Sequence, residues 1–244
     1  MRFKLSFVNA SGENLVIPIN YQYYLHSWFY DILSGADKSY AEWLHTKGFE
    51  AERKIYKLFT FSNLSFDRRK YRRVEDKLVI YPEAKGYLTM SFYVRDIAEK
   101  FIIGLFSGQQ LNVKGNVFPV VELFRLKDPD FKEKMLYHTM TPVKISAFDD
   151  KRKTHIYLPP DVPEYERIFT ENLKRKAAAV GLSGDADIKF RLKSEYRSKL
   201  ITIKQGRRDE SKNRGFLFVL FYPTSKLFMK KRCVDCNTKL ILKN

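Results

Sequence analysis

The chain has 244 residues, of which 45 are Lys or Arg and 28 are Asp or Glu, so its formal net charge is +17. Its hydrophobic content of 44% and aromatic content of 15% exclude an intrinsically disordered protein. No segment approaches the roughly 18 consecutive apolar residues of a membrane span, and residues 1–8 lack the apolar core of a signal peptide. We therefore expect a cytoplasmic protein of one or two domains that binds a polyanion and no membrane.

The first half of the chain predicts a β-α-β-β-α-β order of elements. Alternating apolar residues predict strands, and apolar residues three or four positions apart predict helices, of which the clearest begins at Tyr21. The predicted elements are a strand at 3–8, helices at 21–33 and 38–46, strands at 54–64, 77–81 and 87–93, a helix at 96–106 and a strand at 117–126. Apart from the short helix at 38–46 and one additional strand, this is the order of a ferredoxin-like domain, which RNA-recognition modules also use.

A similar order restarts after the charged, proline-containing segment 127–130. The predicted elements of this second half are a hairpin with strands at 142–148 and 153–158, a helix at 162–180, and strands at 187–192, 200–204 and 215–222. We therefore predict an α+β fold with two tandem ferredoxin-like domains. Their predicted limits are 1–126 and 142–244, joined by a linker at 127–141.

Positive charge is concentrated in two segments. Residues 68–73 hold five bases, and residues 189–214 hold ten Lys or Arg against three Asp or Glu. Tyr71, Phe190 and Tyr196 lie among these bases, as in RNA-binding surfaces where rings stack on bases and cations neutralise phosphates. A solvated surface is the alternative explanation of any single cluster. The predicted RNA-binding residues are Arg68, Arg69, Arg72, Arg191, Lys193, Arg197, Lys199, Arg207 and Arg208.

Four residues have side chains suited to acid–base or electrostatic catalysis. His26 and Tyr30 share one flank of the first predicted helix, His45 ends the second, and Lys57 lies in the strand that follows. The simpler explanations are an exposed helix flank, a helix-capping histidine and a solvent-facing strand position. Together, these residue types fit RNA cleavage without a metal ion, in which the 2′-OH attacks the adjacent phosphate. No carboxylate cluster has the spacing of metal ligands, which disfavours a two-metal nuclease.

Several short stretches of sequence carry a resemblance to a known family. The main ones are residues 1–8 and 18–25, Phe29-Tyr30, Trp43-Leu44-His45-Thr46-Lys47-Gly48 and Tyr56-Lys57-Leu58-Phe59-Thr60-Phe61-Ser62. In this order they closely resemble the CRISPR-associated repeat-processing endoribonucleases of the Cas six family. The resemblance continues more loosely through residues 94–104, 117–126, 141–143 and 212–216.

The resemblance implies an enzyme that cuts precursor CRISPR RNA within each repeat, without a metal ion or other cofactor. The implied products carry a 2′,3′-cyclic phosphate and a 5′-hydroxyl group. By matching stretches, the implied catalytic residues are Tyr30, His45 and Lys57, with His26 assisting or replacing one of them. The implied substrate is single-stranded or weakly structured repeat RNA. Family members occur as monomers and dimers, so a homodimer stays open, as does association with a CRISPR effector complex.

The C-terminal region departs from the family pattern. Family members end with a glycine-rich loop that lies against the RNA, whereas the last glycine here is Gly215. The tail instead contains Cys233 and Cys236, and residues 238–242 predict a final strand. A C-x-x-C pair alone is a weak zinc signal, because a structural zinc site needs four ligands. We therefore predict no metal site.

The sequence leaves two other functions open. A non-cleaving protein would hold CRISPR repeat RNA on its basic surface, while the altered tail prevents cutting. A structural subunit of a CRISPR effector complex would also use ferredoxin-like domains. Such a subunit would not need Tyr30, His45 and Lys57, so their presence disfavours this function.

Overall fold

The computed structural model describes residues 1–128, 130, 134–139, 143, 145–182, 198–201, 213–216, 219–223 and 240–241. These residues belong to two compact units. The first unit comprises Met1–Gly48 and Phe59–Asp128, and the second comprises Phe49–Leu58 with the described residues beyond Asp128. The chain therefore leaves the first unit after Gly48, and it returns at Phe59 after ten residues that belong to the second unit.

Helices and strands follow one another along the described ranges. The helices are α1 (Gln22–Ala36), α2 (Lys38–Thr46), α3 (Arg95–Gly108) and α4 (Pro163–Ala178). The strands are β1 (Arg2–Val8), β2 (Leu15–Pro18), β3 (Phe49–Ala51), β4 (Lys54–Tyr56), β5 (Phe59–Phe61), β6 (Ser65–Phe66), β7 (Tyr71–Val74), β8 (Lys77–Ile80), β9 (Lys85–Phe92), β10 (Gln110–Val113), β11 (Asn116–Leu126), β12 (Lys134–Thr139), β13 (Ser146–Asp149), β14 (Thr154–Tyr157), β15 (Ser198–Ile201), β16 (Asn213–Phe216), β17 (Val219–Pro223) and β18 (Leu240–Ile241).

The first unit is built on an antiparallel sheet with the order β10-β11-β1-β9-β5, and β6 also pairs with β9. Four of these strands, in the spatial order β11-β1-β9-β5, combine with α1 and α3 into the β-α-β-β-α-β arrangement of a ferredoxin-like domain. Phe3, Leu5 and Phe7 of β1 are all buried, because side chains two positions apart face the same side of a sheet. The predicted α+β fold class is confirmed.

α1 and α3 pack against each other at a point where their backbones nearly touch. Gly104 of α3 lies against the carbonyl group of Ile32 in α1, and a Cβ atom at position 104 would overlap the carbonyl oxygen. Only glycine allows so close an approach. Since α1 carries His26 and Tyr30, this contact also fixes the helix on which they lie.

The predicted strand at 54–64 is wrong as a single element. β4 ends at Tyr56 and pairs with β3, whereas β5 begins at Phe59 and pairs with β9. Leu58 between them has a φ of 54°, in the left-handed region that a strand does not contain. Because residues 54–64 are largely apolar throughout, their pattern gives no sign of this turn. At this turn the chain returns to the first unit.

Sequence patterns also missed several short strands. The longest is β12, which lies within the predicted linker at 127–141 and pairs with β17 and β18. It was missed because it follows a charged segment that resembles a connection. Its extended conformation depends on pairing with strands far along the chain. The predicted domain limits stay a prediction, and the predicted strand at 187–192 lies outside the described residues.

The second unit contains the predicted hairpin and helix. β13 and β14 pair antiparallel, and α4 begins at Pro163, whose fixed φ suits the first turn of a helix. The buried apolar face of α4 consists of Tyr165, Phe169, Leu173 and Ala177. Among the residues that the structure describes, no helix is long and apolar enough to cross a membrane.

Replacement of Gly104 by Ala should destabilise the protein by about 1–3 kcal/mol, because the added Cβ atom forces α3 away from α1. Urea denaturation measures this change. Gly108→Ala is the matched control, since Gly108 lies in the same helix and a Cβ atom there meets nothing within 4 Å. Equal unfolding free energies for Gly104→Ala and the wild type would contradict the close packing of the two helices.

Candidate catalytic site

A stack of phenylalanine rings holds α1 in the first unit. Phe29 is fully buried, and its ring lies 3.9 Å from the ring of Phe59 in β5, at an interplanar angle of 23°. The rings of Phe101 in α3 and Phe92 in β9 lie 5.4 Å and 6.0 Å from the Phe29 ring. The helix that carries Tyr30 is therefore anchored, at the preceding residue, to both the sheet and the neighbouring helix.

Hydrogen bonds hold α1 at two further points. The backbone N–H of Leu64 donates to the hydroxyl oxygen of Tyr21, next to the first residue of α1, at 2.9 Å. The indole Nε1 of Trp28 donates to the carbonyl oxygen of Gln110 at 2.8 Å. Both bonds involve buried or half-buried groups, so a shift of the helix would leave polar atoms without partners.

Asp37 fixes the beginning of α2, the helix that carries His45. Its carboxylate accepts a hydrogen bond from the backbone N–H of Tyr40 at 2.9 Å, which is the contact of an N-cap residue. The same carboxylate accepts from Nζ of Lys100 in α3 at 2.5 Å. At the other end, Gly48 has a φ of 60° and turns the chain away from α2. His45 lies in the last turn of this helix, whose beginning is fixed by Asp37 and whose end is followed by the Gly48 turn.

The rings of two histidines flank Tyr30. The ring centroid of His45 lies 4.9 Å from that of Tyr30, with the two rings nearly perpendicular at 86°. The ring centroid of His26 lies 5.0 Å from that of Tyr30, and the His26 ring stacks on Phe59 at 6.0 Å. Both histidine side chains are exposed. The structure thus groups three of the four predicted catalytic residues in the first unit.

The hydroxyl group of Tyr30 is buried, and it has no hydrogen-bond partner among the described residues. Burial raises the pKa of Tyr30 to about 12, because desolvation penalises the charged phenolate. The hydroxyl group therefore keeps its proton at neutral pH, where it can donate a hydrogen bond but not act as a base. A buried donor without a partner is costly, and because this hydroxyl oxygen is closed to solvent, a ligand oxygen would satisfy it only after a covering side chain moves.

Lys57, the fourth predicted catalytic residue, belongs to the second unit. It directly follows β4, and its side chain is half-buried. Burial lowers the pKa of Lys57, because desolvation penalises the charged ammonium group. The first unit thus contributes His26, Tyr30 and His45 to the predicted catalytic set, and the second contributes Lys57.

Three of the predicted RNA-binding residues lie on an exposed basic turn of the first unit. Arg68 and Arg69 occupy the turn between β6 and β7, and Arg72 lies in β7, with all three side chains exposed. β7 is an edge strand of the three-stranded sheet β2-β8-β7. The ring of Tyr71 packs on that of Phe66, with 5.5 Å between centroids. The turn therefore presents cations beside an aromatic ring, a combination that suits phosphates and bases.

The remaining predicted RNA-binding residues have no described side chains. Lys199 lies in β15, and the others lie outside the described residues, namely Arg191, Lys193, Arg197, Arg207 and Arg208. Cys233 and Cys236 also lie outside them. Within the part of the chain that the structure describes, no three or more His, Cys, Asp or Glu side chains cluster in a way that would hold a metal ion.

Sequence patterns did not identify Asp37 and Lys100, which support the site. An Asp directly before a helix is a recognised N-cap signal, so the role of Asp37 has a local signature. Lys100 lies 63 positions further along the chain, and its contact with Asp37 arises only when α3 packs beside α2. No local pattern predicts such a contact.

Comparison with known proteins decides the family. Residues 16–124 match the family model of the N-terminal part of CRISPR-associated protein Cas6, and residues 126–230 match that of its C-terminal part. The chain belongs to the Cas6 family. The family resemblance seen in the sequence is therefore confirmed.

Individual relatives agree with this assignment. A CRISPR-associated endoribonuclease Cas6 of Methanocaldococcus jannaschii is 31% identical over 193 residues, which cover 78% of this chain and 71% of the relative. A solved structure described as CRISPR associated protein Cas6 is 26% identical, with a TM-score of 0.67 and coverage of 93% of this chain and 88% of its own. The structure of a Cas6-related gene product from Pyrococcus furiosus has a TM-score of 0.70 at 21% identity, covering 95% and 90%, and supports the fold alone.

Replacement of Asp37 by Asn should lower the stability of this Cas6 chain at neutral pH. Hydrogen bonds from Lys100, the backbone of Tyr40 and Ser39 lower the pKa of Asp37 from 3.8 to about 2. A lowered carboxyl pKa contributes stability above the unfolded-state pKa, and this contribution is lost as the pH falls through the folded-state value. Asn keeps the capping ability but not the charge.

The stability gap between the wild type and Asp37→Asn should therefore narrow as the pH falls from about 4 towards about 2, as measured by urea denaturation. Asp31→Asn is the control, because Asp31 is an exposed residue of α1. A gap that stays constant over this range would show that the ion pair with Lys100 contributes no stability.

Proposed function

We propose that the chain is a metal-independent endoribonuclease that cuts precursor CRISPR RNA within its repeats. The 2′-OH of one nucleotide attacks the adjacent phosphate and the next 5′ oxygen leaves, which gives 2′,3′-cyclic phosphate and 5′-OH ends. Membership of the Cas6 family and the name of the M. jannaschii relative support RNA cleavage. The observation that carries the chemistry is the pair of imidazole rings beside a buried tyrosine hydroxyl group, which has no hydrogen-bond partner in the described part of the chain.

The two histidines supply the proton transfers in this proposal. Histidine both accepts and donates protons near neutral pH, and the reaction needs one group for each task. His45 is the principal acid–base residue and His26 is its partner, since both exposed rings lie within about 5 Å of Tyr30. One imidazole takes the proton from the 2′-OH, and the other gives a proton to the departing 5′ oxygen.

Tyr30 and Lys57 act on the phosphate group. The Tyr30 hydroxyl group is protonated and has no hydrogen-bond partner among the described residues, and it donates a hydrogen bond to a phosphate oxygen once RNA binding moves the side chains that cover it. Lys57 supplies positive charge as negative charge develops on the phosphorus oxygens. Phosphate binding favours the protonated ammonium group and so opposes the effect of burial on its pKa.

The basic residues hold the RNA outside the reacting centre. The exposed turn with Arg68, Arg69 and Arg72 offers three cations to phosphates. The further residues of this proposed RNA-binding surface are Arg191, Lys193, Arg197, Lys199, Arg207 and Arg208.

The tail favours one other candidate function. Residues beyond Gly215 contain no glycine, although the resembling family ends in a glycine-rich loop that lies against the RNA. If the residues after Gly215 do not contact the RNA as that loop does, the protein would hold repeat RNA without cutting it. Labelled repeat RNA incubated with the protein in EDTA separates the two functions, since cut products support the nuclease and bound but intact RNA supports the binding protein.

In the same assay, His45→Ala should lower the single-turnover cleavage rate by about 10²–10⁴-fold, the usual contribution of a general acid or base. The dissociation constant of the RNA should change little. His26→Ala should also lower the rate, and Tyr30→Phe, which removes only the hydroxyl group, should lower it without loss of the ring contacts. His155→Ala is the control, because His155 is an exposed residue of β14, in the second unit.

Near-normal cleavage by His45→Ala would contradict the principal role of His45. In that case a large effect of His26→Ala would transfer the role to His26. Near-normal cleavage by both variants would contradict histidine catalysis altogether.

A further inference from the structure

The hairpin of β3 and β4 directly precedes Lys57. By itself, this hairpin would have low stability. In the described part of the chain its sheet consists of two strands, which pair from Phe49 opposite Tyr56 to Ala51 opposite Lys54. Isolated hairpins of this size are marginally stable. Its two-residue turn requires positive φ at both positions, for which proteins favour Asn and Gly.

The turn of this hairpin consists of Glu52 and Arg53, with φ values of 48° and 61°. Residues with a Cβ atom raise the energy of the left-handed conformation. The hairpin therefore depends on contacts with other parts of the second unit. A side chain at the tip of such a turn is also well placed to contact a neighbouring element.

α4 supplies these contacts at both ends of the hairpin. At the tip, the carboxylate of Glu52 accepts a hydrogen bond from Nε of Arg175 at 2.6 Å. At the base, Tyr56 is buried, and Nζ of Lys176 lies 5.9 Å from the centre of its ring. Two consecutive residues of one helix thus hold the first turn residue and the last strand residue of the hairpin.

Arg175 is a rigid partner for Glu52. Its side chain is only 19% exposed, and its guanidinium group also donates to the carboxylate of Glu171 at 3.0 Å. Glu171 in turn pairs with Arg167 at 2.8 Å. A guanidinium group held by two carboxylates has a defined orientation, which an isolated surface ion pair lacks.

The position of Lys57 follows from that of the hairpin. Tyr56 before it is 4% exposed and Leu58 after it is 1% exposed, so buried side chains hold the backbone on both sides. The connection between β4 and β5 consists of Lys57 and Leu58 alone, which leaves the lysine backbone little freedom to adjust. A tilt of the hairpin on α4 would therefore move the Lys57 ammonium group.

We propose that the ion pair between Glu52 and Arg175 positions Lys57 for catalysis by fixing the β3–β4 hairpin on α4. Glu52 and Arg175 are positioning residues in this proposal, and they make no contact with the scissile phosphate. The inference rests on the proposed function, which assigns Lys57 its role at that phosphate.

The decisive variant is Glu52→Gln. It should lower the single-turnover cleavage rate at saturating repeat RNA on the order of 10-fold to 100-fold, because small displacements of a catalytic group have effects of that size. The dissociation constant of the RNA should stay equal or fall, since the variant removes a negative charge from a protein that binds a polyanion. Weaker attraction for RNA therefore does not explain a slower reaction.

Glu99→Gln is the matched control. It removes a carboxylate that pairs with Arg95 in α3 of the first unit, outside the ion pairs that hold Arg175. It should cleave as fast as the wild type. The single variants Glu52→Arg and Arg175→Glu should each cleave more slowly than the wild type. The double variant, in which the two charges are exchanged, should recover part of the lost rate.

A double-mutant cycle with Lys57→Ala separates positioning from a general structural effect. If the ion pair acts through Lys57, Glu52→Gln should slow the wild type but not the Lys57→Ala protein. An equal effect in both backgrounds would overturn the inference. If Lys57→Ala cleaves slowly but Glu52→Gln cleaves at the wild-type rate, the positioning inference is overturned and the proposed role of Lys57 stands. If Lys57→Ala itself cleaves at the wild-type rate, the proposed role of Lys57 is contradicted.

Discussion

The stack of Phe29 on Phe59 is the contact on which the position of the candidate catalytic residues depends. It joins α1 to β5 with 3.9 Å between ring centroids, and buried aromatic pairs contribute about 0.5–1.5 kcal/mol beyond the burial of their surface. The Phe59 ring also lies 6.0 Å from the ring of His26 and 6.1 Å from that of Tyr30. One ring therefore belongs both to the core and to the surroundings of the site. Because Phe29 and Tyr30 are adjacent in α1, the packing of the Phe29 ring also fixes the backbone position of Tyr30.

The path of the chain gives the candidate residues their second constraint. The chain leaves the first unit after Gly48 and returns after Leu58, and these residues have φ values of 60° and 54°. His45 lies three residues before the first of these turns, and Lys57 lies one residue before the second. Short connections next to fixed turns leave little conformational freedom. In the proposed mechanism, the two residues therefore depend on different supports, which are α2 with its Asp37 cap for His45 and α4 for Lys57.

Elements with a long, local pattern were predictable from the sequence. The apolar periodicity of α1 and α3 extends over several turns, and the alternation in β1 shows which of its faces is buried. The turn at Leu58 was not predictable, because a single left-handed residue within an apolar run has no sequence signal. The spacing of His26 and Tyr30 placed them on one helix flank, but the approach of His45 to Tyr30 depends on how α2 packs. Residue chemistry and the family resemblance named these residues together, but neither revealed the support from Asp37.

Cleavage of repeat RNA with a single 2′-deoxy nucleotide on the 5′ side of the cut tests the proposed chemistry most directly. The attacking group in the mechanism is the 2′-OH of that nucleotide. The modified RNA should therefore bind with an unchanged dissociation constant and remain uncut at that linkage, whereas unmodified RNA is cut to a 2′,3′-cyclic phosphate. Cleavage of the modified RNA at the same linkage and at a normal rate would show that water is the nucleophile, and would contradict the proposed roles of His45, His26 and Tyr30.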